Sequence, residues 1–315
     1  MRDKGLVAQT GPVRLLVIVG PTAVGKSALS LRLAQEFDGE IISADSRQIY
    51  RHMDIGTAKV TPEERAGVPH HLIDVVAPDE ELTLAHYQRL AAEGIEEVWA
   101  RGKLPILVGG TGLYVRALTE GWTVPEVPPD RALRARLEEQ ARREGPIALH
   151  ASLAAVDPLA AQRIDPRNVR RVIRALEVYR RTGVPISAQQ DKVAPSYRLL
   201  KIGLTMEREA LYRRIDERVE RMIAQGLEAE VRGLVARGYG CELPSMSGLG
   251  YREIGQYLRG EVTLEVAIAL IKRNTRRFVR QQYNWFRLSD PAIHWFDAAQ
   301  LDERALDALV REFIQ

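Results

Sequence analysis

Residues 20–27, GPTAVGKS, have the residue types and spacing of a phosphate-binding loop, GxxxxGK[ST]. Gly20 and Gly25 let backbone amides converge on phosphate oxygens, and the dipole of a following helix adds positive potential. Lys26 is expected to neutralise the terminal phosphate, and the Ser27 hydroxyl is expected to ligate a magnesium ion. The loop therefore predicts a site for a phosphorylated compound together with Mg²⁺.

The carboxylate that a P-loop nucleotidase uses to position magnesium and water has no clear counterpart in this sequence. Such a residue usually ends a neighbouring apolar strand, but the best candidate strand, LPILV (104–108), is followed by two glycines and Thr111. Asp74, in HHLID (70–74), offers another carboxylate, although two histidines and a short apolar run make a poor core strand. The loop thus predicts phosphate binding without the machinery for hydrolysis.

Asp45 ends another apolar run, EIISAD (40–45), at the point where the chain leaves the predicted sheet. Parallel α/β proteins keep their sites at the carboxyl edge of the sheet, which is also where the phosphate loop opens. Asp45 is therefore a candidate general base for a nucleophile that approaches the bound phosphate compound. Asp and Ser both favour helix caps, so Asp45 or Ser46 could instead cap a helix and leave the other residue free. The spacing leaves both roles open.

The elements that must position these residues alternate between strand and helix. RLLVIV (14–19) precedes the phosphate loop, and SALSLRLAQEF (27–37) follows it with apolar residues at roughly helical spacing. A helical stretch around residues 84–99 then precedes LPILVGG (104–110). Strands that alternate with helices predict a parallel sheet with helices on both faces. We therefore expect an α/β fold with a P-loop kinase-like core.

The alternation stops at GWTVPEVPPD (121–130), where three prolines exclude a helix interior and a central strand. Residues 131–182 have helical patterns, two of which end at a glycine. A strand-like run, YRLLKIGLT (197–205), then precedes a long helical pattern over residues 207–237. We predict an inserted all-helical domain at 123–194, between a first part of the core at 14–122 and its completion, with carboxyl-terminal helices, at 195–315.

The composition is that of a globular protein with a sizeable core: the 315 residues are 45% hydrophobic and 28% charged. No apolar run approaches the ~20 residues of a membrane helix, and the amino terminus lacks the apolar stretch of a signal peptide. We therefore expect a cytoplasmic protein without membrane contact. Cys241 is the single cysteine, which excludes an internal disulfide and any zinc site with more than one thiolate ligand.

Basic residues are concentrated in two segments, although the formal net charge is only +3. From Asp130 to Arg181 there are 12 arginines and 7 acidic residues, and from Leu270 to Arg287 there are six basic residues and no acidic one. Such clusters favour a polyanionic partner. Each segment taken alone is equally typical of a solvated helix face.

Taken together, seven motifs resemble those of the tRNA dimethylallyltransferases, and they occur in the same order. They are GPTAVGKS (20–27), SADSRQIYR (43–51), DIGTAK (54–59), HHLID (70–74), GGTGLY (109–114), RRIDERV (213–219) and GYRE (250–253). The resemblance extends from about Arg14 to Arg287. It implies transfer of a dimethylallyl group from its diphosphate to the exocyclic amine of the adenosine immediately 3′ of a tRNA anticodon. Transfer from an isoprenoid diphosphate on the phosphate loop requires no positioned water molecule. The absence of a carboxylate after LPILV is therefore consistent with this reaction.

The resemblance also implies roles for individual residues. Asp45 is similar to the family's general base, Arg218 to a further clamp on the diphosphate, and Thr111 to a residue that contacts the flipped base or the tRNA near it. For Thr111, a role as a turn residue after a strand remains the alternative. His70 and His71 match a family motif but are expected to be structural. The residues implied to hold the diphosphate are Gly20, Thr22, Ala23, Val24, Gly25, Lys26, Ser27 and Arg218.

The tRNA anticodon stem-loop is the implied macromolecular partner, and the two basic segments are expected to grip its phosphates. The tRNA-contacting positions implied by the resemblance are Asp45, Ser46, Arg47, Gln48, Thr111, Arg134, Arg170, Arg171, Arg174, Gly250, Tyr251, Arg252, Arg280 and Gln282. Where many relatives have Lys-Arg-Gln before Thr-Trp, this chain has Arg280, Gln281 and Gln282 before a Tyr-Asn-Trp run. One phosphate contact is therefore either lost or made by Arg277. No protein partner is predicted, and we expect a monomer.

Two other functions remain open at this stage. A small-molecule kinase or NTPase would use the same phosphate loop, and a tRNA-binding module could have lost catalysis. The intact Lys26, Ser27 and Asp45 disfavour the second of these. Eukaryotic relatives carry a carboxyl-terminal zinc finger, which a chain with one cysteine ending at Gln315 cannot form, so the sequence resembles the bacterial form.

Overall fold

A computed structural model of the chain describes residues 11–65, 67–193 and 197–315. Within these residues six strands form one sheet in the order β3-β2-β4-β1-β5-β6, and every neighbouring pair is parallel. The strands are β1 (Val13–Val19), β2 (Gly39–Ser43), β3 (His70–His71), β4 (Leu104–Val108), β5 (Tyr197–Thr205) and β6 (His294–Asp297). The predicted α/β fold with a parallel sheet is confirmed.

Helices connect and follow the strands. They are α1 (Lys26–Glu36), α2 (Leu84–Ala100), α3 (Gly112–Thr119), α4 (Arg131–Glu144), α5 (Pro146–Val156), α6 (Pro158–Arg163), α7 (Val169–Thr182), α8 (Arg208–Ala224), α9 (Leu227–Ala236), α10 (Tyr251–Leu258), α11 (Leu264–Trp285) and α12 (Glu303–Ile314). Two short 3-10 helices lie at Ile186–Ala188 and Ser245–Ser247. In the described part of the chain, no helix combines the length and the apolar character that crossing a membrane requires.

The middle of the sheet decides where the site lies. Strand β4 pairs with β1 on one side, Leu16 opposite Ile106, and with β2 on the other, Ile41 opposite Ile106. Because the three strands are parallel, the turns that follow them meet at one edge of the sheet. The phosphate loop follows β1, Asp45 follows β2, and the Gly109–Gly110 pair follows β4. The sheet therefore brings the three candidate motifs to the same edge.

The core is built from strand residues that alternate between the two faces of the sheet. Leu16 and Ile18 belong to a buried apolar cluster that includes Leu29 and Leu33 of α1. Leu15, Val17 and Val19, also buried, point to the opposite face because successive strand side chains alternate. Their apolar, β-branched run explains why this segment forms a central strand.

The chain divides into two compact units. One contains the described residues up to Leu82, residues 88–119 and those from Tyr197 onward, and it holds the sheet. The other contains residues 83–87 and the described residues from Glu120 to Val193. The predicted boundary at residues 194 and 195 falls outside the described residues.

The second unit is helical and has an apolar core of its own, to which Leu137, Leu149 and Leu176 contribute. Side chains of Asp130 and Asn168 accept hydrogen bonds from backbone N–H groups in the first turns of α4 and α7. These two helices end at Gly145 and Gly183, as the glycine stops predicted. The prolines of residues 125–129 lie in neither helix nor strand, which confirms that prediction.

One helical prediction was wrong in its extent. The pattern over residues 207–237 predicts a single long helix, but α8 ends at Ala224 and α9 begins at Leu227. Gly226, between them, has φ 98°, a left-handed conformation that glycine adopts without a steric penalty. The helical periodicity continues on both sides of the break, which is why the apolar pattern does not show it.

Candidate active site

The phosphate loop is shaped by its glycines. Gly25 has φ 110°, and α1 begins at the next residue, Lys26, so the helix amino terminus faces the loop. Gly20 has φ 141°, and a Cβ there would lie 2.4 Å from the Leu204 carbonyl oxygen. Both glycines are therefore required by backbone geometry and close packing. The Lys26 ammonium donates a hydrogen bond to the Pro21 carbonyl at 2.7 Å, which holds the lysine along the loop.

A cavity of about 480 Å³ opens beside this loop. Asp45, Gln48 and Arg218 line it together with Gly109 and Gly110. The loop residues that line it are Thr22, Ala23, Gly25, Lys26 and Ser27. Val24, by contrast, buries its side chain in the core on which α1 packs, so its contribution to the loop is its backbone.

The charges of the cavity influence one another. Burial lowers the pKa of Lys26 from 10.5 to about 8, with Asp45 acting to raise it and Arg218 to lower it further. Burial also lowers the pKa of Arg218, against the attraction of Asp45. Lys26 and Arg218 share the cavity with two further arginines and two carboxylates, so cations outnumber acids; these are Arg214, Arg221, Asp45 and Glu217. The site is thus suited to a ligand with several negative charges.

The Asp45 carboxylate has one oxygen engaged in local structure. Its Oδ1 accepts hydrogen bonds from the N–H groups of Arg47 at 2.8 Å and Gln48 at 3.4 Å. Residues 46–49 form a turn and not a helix, so Asp45 does not cap a helix; its carboxylate instead stabilises this turn. The other oxygen, Oδ2, accepts no hydrogen bond from the residues that the structure describes. Asp45 therefore combines a fixed orientation with a free acceptor atom.

Thr111 supports this turn from the neighbouring strand. Its hydroxyl accepts a hydrogen bond from the Ser46 N–H at 3.0 Å and donates one to the Ser46 hydroxyl at 3.3 Å. The Thr111 N–H donates to the Ala44 carbonyl at 3.3 Å. Thr111 is thus a turn residue that fastens the end of β2 to the end of β4.

The end of β4 leaves no room for the carboxylate of a nucleotidase. A Cβ on Gly109 would lie 2.1 Å from the Ala44 carbonyl oxygen. A Cβ on Gly110 would lie 2.3 Å from the side-chain nitrogen of Gln282. Asp74, the alternative carboxylate, is exposed and binds the Lys59 ammonium at 2.6 Å. Among the described residues, neither β4 nor the turn that follows it therefore contributes to the cavity the carboxylate that a nucleotidase uses.

Three predicted tRNA contacts lie in the interior. Gln282 is 4% exposed and hydrogen-bonded at both ends of its amide. Tyr251 is 1% exposed, and its hydroxyl donates to Glu230 at 2.6 Å. Gly250 is buried and its N–H donates to Glu253 at 2.9 Å. In this conformation the side chains of Gln282 and Tyr251 therefore present no free polar atom at the surface.

The arginines of the helical unit fall into two groups. Arg134 and Arg174 both donate to Glu177, a carboxylate with 0% of its side chain exposed. Burial alone would raise the pKa of Glu177, but hydrogen bonds from Arg134, Arg174 and the Asp130 N–H hold it below its usual value. Arg170 and Arg171 are exposed on the first turn of α7. The first pair is therefore structural in this conformation, whereas the second pair is accessible to a partner.

The remaining predicted positions lie near the surface. Arg280 and Arg252 are exposed, and Arg252 donates to the buried Glu253 at 2.5 Å. Arg47 donates to the carbonyls of Pro244 and Ser245 at 3.0 and 3.1 Å. Gln48 donates to the carbonyls of Thr57 and Ala58, both at 3.3 Å, and holds another wall of the cavity in place.

Sequence reasoning missed two cations of the cavity, Arg214 and Arg221, which line it beside Arg218. The signal was available, because residues four before and three after Arg218 share its face of α8. His71, expected to be structural, contacts Glu40 at 2.7 Å, and His70 contacts the Val68 carbonyl at 2.8 Å.

The residues around Ser27 suit magnesium. Its side chain is exposed and lies on the cavity with Asp45. No cluster of three His, Cys, Asp or Glu side chains that could hold a metal occurs among the residues described. Magnesium characteristically takes one or two protein ligands and completes its shell with substrate phosphate and water. A hydroxyl and a carboxylate beside a phosphate loop fit that requirement.

Fold and site together define a P-loop protein whose cavity places several cations next to a carboxylate. Comparison with known families gives a more specific result. Residues 48–289 match the IPP transferase family, and residues 13–80 match the isopentenyl transferase family. The chain belongs to the tRNA dimethylallyltransferase family.

Individual relatives support this membership over nearly the whole chain. The tRNA dimethylallyltransferase of Roseiflexus castenholzii is 58% identical over 301 residues, covering 95% of this chain and 98% of the relative. The crystal structure of the full-length tRNA isopentenylpyrophosphate transferase of Bacillus halodurans has 46% identity and a TM-score of 0.69, with 94% of each chain covered. A eukaryotic dimethylallyltransferase captured acting on tRNA has 30% identity and a TM-score of 0.80, with 96% of this chain and 79% of that chain covered.

Proposed function

We propose that this chain transfers the dimethylallyl group of dimethylallyl diphosphate to the N6 amine of the adenosine immediately 3′ of a tRNA anticodon and releases diphosphate. The observation that carries the proposal is the shared cavity, which the phosphate loop, Arg218 and Asp45 all line. Such a volume accommodates a leaving diphosphate and a deprotonating group at once. The family membership identifies the group transferred and the acceptor.

The diphosphate end of the cavity stabilises the leaving group. When the allylic carbon–oxygen bond breaks, its electron pair goes to the diphosphate while the carbon becomes cationic. Fixed positive charge at the diphosphate lowers the energy of that transition state. Lys26, the loop amides and the amino terminus of α1 supply this charge. Arg218 adds a planar guanidinium that can bridge two phosphate oxygens.

Asp45 acts on the nucleophile. The adenine amine is a poor nucleophile because its lone pair is delocalised into the ring, so its proton must leave as the new carbon–nitrogen bond forms. The Asp45 Oδ2 atom accepts that proton, while Oδ1 stays in its turn. A carboxylate in a cavity with limited water is a more effective base than one in bulk solvent.

Magnesium is the cofactor that the donor set implies. The Ser27 hydroxyl would hold it, with Asp45 on the same cavity wall. The ion would neutralise charge on the diphosphate oxygens as the leaving group departs.

The macromolecular substrate is the tRNA anticodon stem-loop. Exposed arginines, Arg170, Arg171 and Arg280 among them, are suited to phosphate contacts, which supply affinity but little sequence information. An adenine in an anticodon loop is less constrained than one in a duplex, so turning it outward towards a base costs little. We expect the chain to do this as a monomer in the cytoplasm.

The experiment is mass spectrometry of tRNA nucleosides after incubation with the protein, Mg²⁺ and dimethylallyl diphosphate. The expected product is adenosine that carries one dimethylallyl group on its amine. A parallel incubation with γ-labelled ATP and tRNA tests the kinase or NTPase alternative. Label transferred or released from ATP, with unmodified tRNA, would overturn the proposal. Bound but unmodified tRNA would instead indicate a binding module.

A further inference from the structure

Gln282, near the carboxyl end of α11, spans two motifs of the active site. Its Oε1 atom accepts a hydrogen bond from the Thr22 N–H at 2.8 Å. Its Nε2 atom donates to the Gly110 carbonyl at 3.1 Å. Both contacts are to backbone atoms, so they fix where the chain lies and not only how a side chain points.

The two partners of Gln282 lie in segments that follow neighbouring strands of the sheet. Thr22 is in the phosphate loop that follows β1, and Gly110 is in the turn that follows β4. Gly110 can be approached this closely because it has no Cβ, which would lie 2.3 Å from Nε2. The amide therefore acts as a spacer between the loop and the turn.

The turn after β4 continues to the general base. Thr111 follows Gly110 directly and accepts the hydrogen bond from the Ser46 N–H. Ser46 in turn follows Asp45, so the hydrogen-bonded contacts run from the phosphate loop through Gln282 and Gly110 to the Asp45 turn. Gln282 therefore connects the phosphate loop with the Asp45 turn without contacting Asp45 itself.

The helix that carries Gln282 is anchored by two residues that follow it. The Tyr283 hydroxyl and the Thr205 hydroxyl are 3.0 Å apart and share a hydrogen bond. Trp285 packs on Gly112, where a Cβ would lie 2.2 Å from the indole ring. Gln282 thus projects from a fixed backbone, which is what a spacer requires.

We propose that Gln282 is a positioning residue that sets the distance between the phosphate loop and Asp45, and that it does not contact tRNA. This role rests on the proposed function, because the distance matters for transfer from a diphosphate to an amine. A loop displaced by even about 1 Å would cost turnover on the order of 10². It would also weaken the diphosphate site, since the loop amides would no longer converge.

Two variants test the proposal. Gln282→Met keeps the length of the side chain and removes both hydrogen bonds. Gly110→Ala keeps Gln282 but places a methyl group where Nε2 lies, and the flexible amide must move away. The matched control is Gln281→Met, on the same turn of α11 but exposed. Each protein is assayed for inorganic diphosphate binding by calorimetry, for kcat, for tRNA affinity and for thermal unfolding.

Both test variants are expected to lower kcat about 10²-fold and diphosphate affinity about fivefold. Their tRNA affinity should stay within about twofold of wild type, and the control should keep all three values. A further pair compares Gln282→Ala with the double variant Gly110→Ala and Gln282→Ala. The two proteins should have similar kcat and diphosphate affinity, because the methyl group added at position 110 in the double variant occupies space that the amide has left.

Three results would overturn the role. The first is a loss of tRNA affinity in Gln282→Met with diphosphate binding intact, which would indicate an RNA contact. The second is a lower unfolding temperature with kcat and diphosphate affinity unchanged when both are measured below that temperature. This result would indicate a structural role only. The third result applies if Gln282→Met does not fold. Gly110→Ala is then the deciding variant, and unchanged diphosphate affinity of Gly110→Ala would overturn the role. Diphosphate binding can be measured without turnover. If the wild-type protein transfers no dimethylallyl group, the proposed function is contradicted, but the effect of Gln282 on diphosphate binding can still be tested.

Discussion

The hydroxyl of Thr111 and the N–H of Ser46 lie 3.0 Å apart and form a hydrogen bond between the ends of two adjacent strands, although the two residues are 65 positions apart in the chain. Asp45 is the residue immediately before Ser46. Its own Oδ1 accepts the Arg47 N–H, so the turn is held once from inside and once from β4. The orientation of Asp45, the proposed general base, therefore depends on a residue that lies outside the cavity lining.

Replacement of Thr111 by Val tests this dependence. Valine keeps the shape of threonine and removes the hydroxyl, so the Ser46 N–H loses its acceptor. We expect kcat to fall about tenfold, the equivalent of one hydrogen bond, with tRNA affinity unchanged. Thr111→Ser restores the hydroxyl and should restore most of the rate. Steady-state kinetics with tRNA binding measured separately distinguishes this role from a direct base contact, for which tRNA affinity would fall instead.

Asp45→Asn separates the two functions of the carboxylate. The asparagine Oδ1 atom can still accept the Arg47 and Gln48 N–H groups, so the turn should persist. The amide cannot act as a base at neutral pH, so turnover should fall by about 10² or more. We expect Asp45→Ala to lose at least as much turnover, again with tRNA affinity retained. The check is single-turnover transfer with bound tRNA, and near-normal transfer by Asp45→Asn would remove Asp45 from the role of base.

The central architecture could be predicted because its causes are local. Strands β1, β2, β4 and β5 are contiguous apolar runs, and the phosphate loop is set by glycines at fixed positions. Because the turns that follow parallel strands lie at one edge of the sheet, the sequence alone predicts that Asp45 lies near Lys26. The cavity that both residues line agrees with that inference.

The roles of Gln282, Tyr251, Arg134 and Arg174 could not be predicted from local sequence. Gln282 is 260 positions from Thr22, and the partner of Tyr251, Glu230, lies on a different helix. A motif copied from relatives shows that a position matters but not which atoms it contacts. The break at Gly226 was missed because a single glycine inside a helical pattern is tolerated and does not by itself predict the end of a helix.

The pH dependence of diphosphate binding follows from Lys26. Burial brings its pKa to about 8, so the ammonium of the free protein is lost as the pH rises through that value. Binding of a polyanion requires the charged form, so above that pKa Lys26 must take up a proton as the ligand binds. The contribution of Lys26 to diphosphate affinity should be constant below about pH 7, and its loss should reduce the affinity by up to about tenfold per unit above pH 8.

Lys26→Arg provides the control for that titration. A guanidinium remains charged over this range, so the ionisation of diphosphate itself is all that can change. The difference between the two calorimetric pH profiles isolates Lys26. Identical profiles from pH 6 to about pH 9.5 would show that the lysine does not lose its proton in this window.

The four arginines of the helical unit should separate into two classes on substitution. Arg134→Ala removes one of two guanidinium partners from Glu177, whose side chain is 0% exposed. Removing a partner from a buried carboxylate costs more than removing a surface charge. Because Arg174 and the Asp130 N–H remain, we expect a loss of about 1–3 kcal/mol in the free energy of unfolding. Arg170→Ala, at an exposed position, should change that free energy by less than about 0.5 kcal/mol.

RNA binding should show the reverse order. Arg170→Ala and Arg171→Ala are each expected to weaken tRNA binding and to reduce the slope of log affinity against log salt by about 1. Arg134→Ala, assayed well below its unfolding transition, should leave that slope unchanged, because its guanidinium faces Glu177. Denaturant unfolding and a salt series of tRNA titrations measure both quantities on the same proteins. A reduced slope in Arg134→Ala would mean that this arginine leaves Glu177 when tRNA binds.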